Sequence, residues 1–396
     1  MEYRKIRQEE FVALRRIHSL VYFMKYEVEK TDYFPGADEN RWKYGKAAFS
    51  DNGEMVAVLE SVPFESYLDG QIVGSPGIAG VATLAQHRRS GYVRNLLKLA
   101  FDEMHENGDV MSYLYPFSHE YYRMFGYSQG SESKVVEVDI KKVIDSPHEG
   151  YMKQYFPGDS LDDIQKIYDS FSQNYNCSVN RKIWRWKRLY SEDPYTTDVR
   201  VLVRYDKGNN PVAYMKFKKK EVAEYTYDMS VIEIAWTGEN GLMALISIIN
   251  SFKGDLRKVK MEVPADFPVS LFVKEVWEQT STIRYTGMNR IIDAEKALEI
   301  IRKPDKPGRA TIGLADEYCP WNHGSWLVEW DKGQSNVHRT TKTPDVLCNA
   351  PEFSQMVTGR YSIGKLKSFR KVEITGNEDT LNNLFIHKAC FIQDRF

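Results

Sequence analysis

HRRSGYVRNLL, residues 87–97, places two arginines, a serine and a glycine directly before a leucine-rich helical pattern. The preceding run GIAGVATL, residues 77–84, is short and apolar, with glycine and β-branched residues, which favours a strand. After the glycine of the first stretch, apolar residues recur at helical spacing until Asn107 and Gly108 end the pattern. The sequence therefore predicts a turn from a strand into a helix. The apolar positions of that helix are Val93, Leu96, Leu97, Ala100 and Met104.

The predicted turn has the chemistry of an anion-binding site. The first backbone N–H groups of a helix lack partners, and the helix dipole places partial positive charge beside them. Gly91 lets the backbone approach a ligand closely, and the guanidinium groups of Arg88 and Arg89 suit phosphate oxygens. These residues predict a phosphate or pyrophosphate ligand. The alternative is that the two arginines and the glycine only occupy the start of a helix and bind no ligand.

The composition limits the class of protein. A chain of 396 residues is too long for one ordinary core, so we expect two or three domains, and 42% hydrophobic with 28% charged residues is typical of a globular protein. The net charge of −1 provides no basic field for nucleic acid, and no apolar run reaches the roughly 18 residues that span a bilayer. The four cysteines and eight histidines are too dispersed for a disulfide framework or a metal site. We expect a cytoplasmic protein with no metal, no nucleic acid and no membrane partner.

The elements around the turn predict one α/β unit. A helix-like opening, residues 9–23, precedes the strand-like segment Met55–Val62 and a hairpin whose turn is Asp69-Gly70. The predicted helix is followed by a second apolar run, residues 110–117. The phosphate site is therefore expected between two central strands.

A similar order of elements recurs in the middle of the chain. Residues 199–206, 211–218 and 231–238 are strand-like, and the helix-like segment 239–252 follows them. The second strand-to-helix turn has no arginine and carries Glu239, which would repel a phosphate. The second unit is therefore predicted to be a degenerate copy of the first.

Two segments resemble the GCN5-related N-acetyltransferase (GNAT) superfamily. Residues 88–93, RRSGYV, are similar to its R/Q-x-x-G-x-G/A loop, which binds the pyrophosphate of acetyl-CoA, and depart from it at Val93, where the loop has Gly or Ala. Tyr122 lies four residues before Gly126, as in the Y-x-x-x-G-F segment of that family. The resemblance implies that acetyl-CoA is the cosubstrate.

Over its whole length the chain resembles the Eis (enhanced intracellular survival) group of this superfamily. The resemblance includes the aromatic and basic run WRWKRLY, residues 184–190, and the ending FIQDRF, residues 391–396. It implies an α+β fold with tandem acetyltransferase-like domains that have mixed central sheets, followed by an α+β domain like sterol carrier proteins. It also implies a homohexamer that acetylates primary amines of aminoglycosides or lysines. The implied domains are an acetyl-CoA-binding domain at 1–150, a degenerate acetyltransferase-like domain at 151–287 and the sterol-carrier-like domain at 288–396.

The last of these domains has a mixed pattern of its own. In MNRIIDAEKALEII, residues 288–301, apolar residues recur at helical spacing, and the segment SWLVEWDKG, residues 325–333, is strand-like. Residues 351–369 and 378–386 are predicted to form helices with a break at a glycine. Two interpretations stay open, because these apolar helices either enclose a lipid or form an ordinary core.

Acetyl transfer requires a base for the acceptor ammonium and an acid for the departing CoA thiolate. Tyr122 fits the acid by its position, with an ordinary pKa of roughly 10. The resemblance implies that the base is the terminal carboxylate of Phe396, and Glu27, Glu29 and Asp394 are predicted to attract a cationic acceptor. The residues predicted to bind acetyl-CoA are Val81, Ala82, Thr83, Arg88, Arg89, Ser90, Gly91, Tyr92, Val93, Arg94 and Ser118.

Three functions compete at this point. The first is an acetyl-CoA-dependent amine N-acetyltransferase, which the two motifs favour. The second is a lipid- or sterol-binding protein on an acetyltransferase scaffold. The third is a nucleic-acid-associated module that uses the interleaved aromatic and basic residues 184–190. Release of CoA from acetyl-CoA in the presence of amines distinguishes the first function from the other two.

Overall fold

The chain folds into two compact units. A computed structural model describes residues 1–24, 40–277 and 279–395. The first unit contains Met1–Ser131, Thr286–Cys390 and the chain from Asp394 onward, and the second contains Glu132–Tyr285 and Phe391–Gln393. The division into three domains at residues 150 and 287 stays a prediction.

The amino-terminal part of the first unit is a mixed sheet with the strand order β1–β2–β3–β6–β7. Neighbouring strands are antiparallel up to β6, whereas β6 and β7 are parallel and are joined by the crossover helix α2. The predicted strand Met55–Val62 and the hairpin turn at Asp69-Gly70 are confirmed, and both turn residues have positive φ, as a type I′ turn requires. The elements are β1 (Glu2–Lys5), α1 (Phe11–Tyr22), β2 (Gly45–Phe49), β3 (Met55–Val62), β4 (Glu65–Leu68), β5 (Gln71–Gly74), β6 (Gly77–Thr83), α2 (Tyr92–Glu106), β7 (Met111–Leu114), α3 (His119–Arg123) and β8 (Ser128–Asp139).

Helix α2 packs one face onto this sheet. Its spacing of apolar residues buries a stripe that runs the length of the helix, and four of the five predicted apolar positions lie in it. Val93 differs, because it is only partly buried and points toward the cleft described below. The buried residues of α2 are Tyr92, Leu96, Leu97, Ala100, Phe101 and Met104.

The second unit repeats this architecture. Its sheet has the order β8–β14–β13–β12–β11–β9, and its parallel pair, β13 and β14, is joined by the crossover helix α6, as β6 and β7 are joined by α2. The tandem arrangement predicted from the sequence is thereby confirmed. The elements are β9 (Tyr151–Gln154), α4 (Asp162–Ser172), β10 (Val179–Asn180), α5 (Ile183–Leu189), β11 (Val199–Tyr205), β12 (Pro211–Ala223), β13 (Thr226–Trp236), α6 (Gly238–Asn250), β14 (Leu256–Pro264) and α7 (Val269–Phe272).

The aromatic and basic segment 184–190 belongs to the core of the second unit. Trp186 and Arg185 are buried, so neither side chain can stack on a nucleic-acid base. The guanidinium of the neighbouring Arg181 lies 4.7 Å from the Trp186 ring and donates two hydrogen bonds, of 2.9 and 2.6 Å, to the carboxylate of Glu233. These contacts favour a packing role for the segment.

The carboxy-terminal part of the first unit is an α+β layer built on a five-stranded sheet, β18–β17–β16–β19–β20. The predicted helix over residues 288–301 is wrong in its first half, because Met288–Ile291 end a strand that pairs with β7 and the helix starts only after the capping side chain of Asp293. No helix in the described ranges is long and apolar enough to cross a membrane. The elements are β15 (Ser281–Ile291), α8 (Ala294–Ile300), β16 (Gly308–Ala315), β17 (Gly324–Asp331), β18 (Gln334–Thr340), β19 (Val346–Asn349), α9 (Ala350–Val357), α10 (Ile363–Ser368), β20 (Glu373–Ile374) and α11 (Glu378–Leu384).

Candidate active site

A cleft opens where the two central strands of the first unit separate. β6 and β7 are paired only at Gly77 with Tyr113 and at Ile78 with Leu114, and β6 continues to Thr83 beyond that pairing. The edge of β6 beyond Ile78 therefore lies beside an opening instead of a neighbouring strand. This opening is a cleft of about 720 Å³ that includes residues from α1, β6, the start of α2 and α3 in its lining.

The phosphate loop predicted from the sequence forms one end of the cleft. Gly91 caps the start of α2 with φ of +78°, and Arg89 also has a positive φ, +66°. Among the residues that the structure describes, no side chain caps the first amides of α2, so these N–H groups are available to a ligand. The arginine side chains before the helix are exposed, and the Arg88 guanidinium lies against the carbonyl oxygen of Thr83 at 3.4 Å. This geometry suits a pyrophosphate.

The charge of the cleft is positive. Arg88, Arg89 and Arg94 line it, and within the described part of the chain no aspartate or glutamate does. An anionic cosubstrate therefore meets cations and helix amides at this end. Of the acidic residues predicted to attract a cationic acceptor, Glu27 and Glu29 lie outside the described residues, and Asp394 is buried.

Tyr122 lines the same cleft from helix α3. Its side chain is only 3% exposed, and its ring contacts Phe117, Tyr121 and Tyr127 edge-on. Burial raises the pKa of Tyr122 above the ordinary value assumed from the sequence, and the neighbouring tyrosines raise this pKa further. Among the described residues, none accepts a hydrogen bond from its hydroxyl, so this O–H is available to a bound molecule.

Most of the predicted cosubstrate residues come together in this cleft. Two do not line it: Ala82 is buried where β6 pairs with Val58 of β3, and the Ser118 hydroxyl caps α3 by accepting a hydrogen bond from the Tyr121 amide at 3.2 Å. Phe396, the predicted base, lies outside the described residues. The predicted residues that line the cleft are Val81, Thr83, Arg88, Arg89, Ser90, Gly91, Tyr92, Val93, Arg94 and Tyr122.

Several aromatic residues of the cleft were not predicted. Tyr115 and Phe117 follow β7 within the run 110–117, and their position after a central strand was a signal that sequence analysis had available. Tyr22 comes from α1, about 60 residues before β6, and nothing in its own sequence surroundings marks it. These rings make part of the cleft lining aromatic.

Asp394, near the end of the chain, is bonded to a residue of the cleft lining. The Tyr115 hydroxyl donates a hydrogen bond to the backbone carbonyl of Asp394, and Asp394 is 2% exposed. Both residues belong to the first unit. A residue that lines the cleft is therefore bonded to the chain two residues before its end.

Comparisons with known proteins agree with this fold. Residues 2–130 match the family model described as an acetyltransferase (GNAT) domain, and residues 294–393 match that of a sterol carrier protein domain. Two uncharacterized N-acetyltransferases, from Streptomyces coelicolor and Streptomyces avermitilis, are each 22% identical to this chain, with 76% of both chains covered in each comparison.

Solved structures share the fold over the full chain. A GCN5-related N-acetyltransferase from Anabaena variabilis has a TM-score of 0.86 at 19% identity, with both chains fully covered. Eis1 from Mycobacterium abscessus has a TM-score of 0.82 at 17% identity, also with both chains fully covered. The fold is therefore Eis-like, and a GNAT domain implies acetyl-CoA as the acetyl donor. The chain is an N-acetyltransferase that contains a GNAT acetyltransferase domain in its amino-terminal part and a sterol carrier protein domain in its carboxy-terminal part.

Proposed function

We propose that this enzyme is a member of the Eis group and transfers the acetyl group of acetyl-CoA to a primary amine of a cationic small molecule, an aminoglycoside or a lysine-type amine. One observation carries the proposal: a single cleft contains both the Arg88–Arg94 loop and the free hydroxyl of Tyr122. The loop holds the pyrophosphate, and the extended backbone from Val81 to Thr83 lies beside the pantetheine arm and the thioester. Tyr122 protonates the departing thiolate.

The aromatic residues of the cleft lining support a cationic acceptor. Tyr22, Tyr115, Phe117 and Tyr121 line the cleft, and aromatic faces attract ammonium groups. The base that removes the ammonium proton is the terminal carboxylate of Phe396. The homohexamer, the cytoplasmic location, the absence of a metal and the three-domain boundaries belong to the same proposal, because they accompany the resemblance to the Eis group.

The direct test is release of CoA. Purified enzyme is mixed with acetyl-CoA and a panel of aminoglycosides, lysine and lysine-containing peptides, and free thiol is followed with time. Thiol release that depends on an amine, together with the mass of an acetylated product, supports the proposal. If thiol is released at the same rate whether or not any of these amines is present, the proposal is contradicted.

Lipid binding by the carboxy-terminal domain is a second candidate function, because that domain contains a separate cavity of about 600 Å³. Apolar side chains are combined there with three basic side chains and the carboxylate of Glu373, a net positive lining that suits an anionic amphiphile. Mass spectrometry of an organic extract of the purified protein tests this candidate, since a bound lipid would be recovered in proportion to protein. The lining of this cavity includes Leu314, Leu347, Val372, Lys367, Arg370 and Lys371.

Replacing Gly91 by valine is expected to raise the KM for acetyl-CoA at least about tenfold. A valine there strains a backbone with φ of +78°, at a cost of roughly 1–2 kcal/mol, and places its methyl groups in the open space before the helix amides. Gly108, at the other end of α2, has φ of +80° and lies outside the cleft lining, so Gly108→Val is the matched control for backbone strain. If calorimetry shows that Gly91→Val and the unaltered enzyme bind acetyl-CoA with equal affinity, the loop does not form part of the binding site.

Titration with acetyl-CoA is expected to give one binding site per chain. In the second unit the first turn of α6 carries Glu239, and the backbone N–H and C=O of Ile234 in β13 are already bonded to the Gln393 side chain, at 3.2 and 3.0 Å. The second copy thus lacks both the cations and a free strand edge at this position. Gly91→Val should weaken all of the observed binding, whereas two equivalent sites per chain would disprove the degenerate copy.

A further inference from the structure

Strand β6 contains a bulge inside the cleft. Its register with β3 passes from Val58 with Ala82 to Glu60 with Ala79, so Gly80 and Val81 have no partners in β3. Gly80 has φ of +57°, a left-handed conformation that glycine adopts without strain. Bulges of this kind redirect backbone groups beside active sites.

Two side chains of α1 hold the two carbonyl groups of this bulge. The Nε2 atom of His18 lies 2.7 Å from the carbonyl oxygen of Gly80, and the Tyr22 hydroxyl donates a hydrogen bond of 2.7 Å to the carbonyl oxygen of Val81. His18 and Tyr22 are one helical turn apart on the same face of α1, with ring centroids 5.7 Å apart. One helix face therefore fixes two successive peptide groups.

The hydrogen bond from His18 also defines its protonation. A carbonyl oxygen only accepts, so Nε2 carries the proton. Burial lowers the pKa of His18, although the nearby carboxylate of Glu60 opposes this shift, and the imidazole stays neutral at pH 7. The contact is close: a Cβ atom on Gly80 would lie 2.6 Å from the imidazole ring, so only glycine leaves room for it.

Fixing a carbonyl group also fixes the amide on the other side of the same peptide plane. In a trans peptide the C=O and the N–H point in opposite directions. Since the Gly80 carbonyl points to His18, the Val81 N–H points away from His18, and Val81 lines the cleft beside the pantetheine path. The register of β6 with β3 gives Val81 no paired residue in β3.

We propose that His18 and Tyr22 are positioning residues that hold the β6 bulge so that the Val81 N–H donates to the thioester carbonyl oxygen of acetyl-CoA. This inference rests on the proposed function, because it requires acetyl-CoA in the cleft. When the amine attacks, negative charge develops on the thioester oxygen, and an amide already aimed at that oxygen stabilises the transition state more than the ground state. Both side chains act on the thioester through the backbone carbonyl groups that they hold.

The test uses the full-length enzyme with His18→Phe, Tyr22→Phe and the conservative His18→Gln. Phenylalanine keeps a ring at each position and removes the donor, whereas the side-chain amide of glutamine keeps a donor near the place of Nε2. We expect kcat to fall about 10- to 100-fold in His18→Phe, to fall less in Tyr22→Phe, and to recover largely in His18→Gln. Dissociation constants for CoA and acetyl-CoA are measured by calorimetry, and the carbonyl stretch of bound [1-¹³C]acetyl-CoA by difference infrared spectroscopy.

The positioning role predicts a specific combination of results. In His18→Phe, the dissociation constant of CoA stays unchanged, and acetyl-CoA no longer binds more tightly than CoA. The thioester carbonyl stretch moves to higher frequency. Equal weakening of CoA and acetyl-CoA with an unshifted carbonyl stretch indicates a merely structural role and overturns the inference. If the unaltered enzyme acetylates no amine, the proposed function fails first; if it does so and His18→Phe matches its kcat, the inference alone fails.

Discussion

Tyr122→Phe is expected to lower kcat by about 10²- to 10⁴-fold while the protein folds normally, because general acid catalysis is typically worth that factor. The substitution removes only the hydroxyl, and the ring keeps its edge contacts with Phe117, Tyr121 and Tyr127. The hydroxyl makes no hydrogen bond to any described residue, so its removal leaves no protein group unsatisfied. Steady-state kinetics with saturating acetyl-CoA and amine measure the loss.

Tyr121→Phe is the matched control for this substitution. Tyr121 lies in the same helix, lines the same cleft and is partly buried. Its loss should change kcat by less than about threefold if Tyr122 is the acid. The opposite result, with Tyr122→Phe nearly fully active and Tyr121→Phe impaired, assigns the acid to Tyr121.

The pH dependence gives a second check on Tyr122. A tyrosine acts as an acid only while it is protonated, and burial raises the pKa of this hydroxyl above the usual value of roughly 10. Its proton is therefore fully present at neutral pH and is lost only in solutions more alkaline than those that ionise an ordinary tyrosine. We expect no decline of kcat below pH 10 that can be assigned to Tyr122.

The local part of the fold was predictable from the sequence, and the reason is the range of the interactions. The strand Met55–Val62, the Asp69-Gly70 hairpin and the strand-to-helix turn at Gly91 each depend on neighbours in sequence. Met288–Ile291 was misassigned to a helix because its partner in the sheet, Met111–Leu114, lies more than 170 residues away. A strand that is buried on both faces shows no alternation to distinguish it from a helix.

The same distinction applies to the candidate site. The loop and Tyr122 belong to short motifs whose chemistry can be recognised from the residue types and their spacing, and the structure brings both motifs to one cleft. His18 and Tyr22 depend on how α1 packs beside a bulge about 60 residues later, which no local pattern encodes. The hydrogen bond of Tyr115 joins it to Asp394, a residue nearly 280 positions further along the chain, which no local pattern predicts.

Extending the chain by two glycines after Phe396 is expected to lower kcat/KM by at least about 100-fold, since the terminal carboxylate is proposed as the base and general base catalysis contributes such factors. The extension keeps every side chain and displaces only the charge. The bond from Tyr115 holds Asp394 beside the cleft, and two residues span about 7 Å of extended chain, which brings a carboxylate on residue 396 within reach of the cleft. A free α-carboxylate with a pKa of roughly 3.5 is a weak base, and its pKa rises in an apolar, desolvated site.

Four proteins without tags distinguish the effect of the terminal carboxylate from that of the hydrogen bond that holds Asp394. They are the unaltered enzyme, the version with two glycines after Phe396, a version with two glycines at the amino terminus, and Tyr115→Phe. The amino-terminal extension controls for added residues and should keep full activity. Tyr115→Phe loses the hydrogen bond to the Asp394 carbonyl, and its activity should fall less than that of the carboxy-terminal extension, because the carboxylate remains but is held less firmly. All four should bind acetyl-CoA equally in calorimetry, since the Arg88–Arg94 loop is unchanged in each of them. If the carboxy-terminal extension is folded, binds acetyl-CoA and acetylates amines at the unaltered rate, the base lies elsewhere, and a carboxylate or histidine of this chain must replace the terminal group in the mechanism.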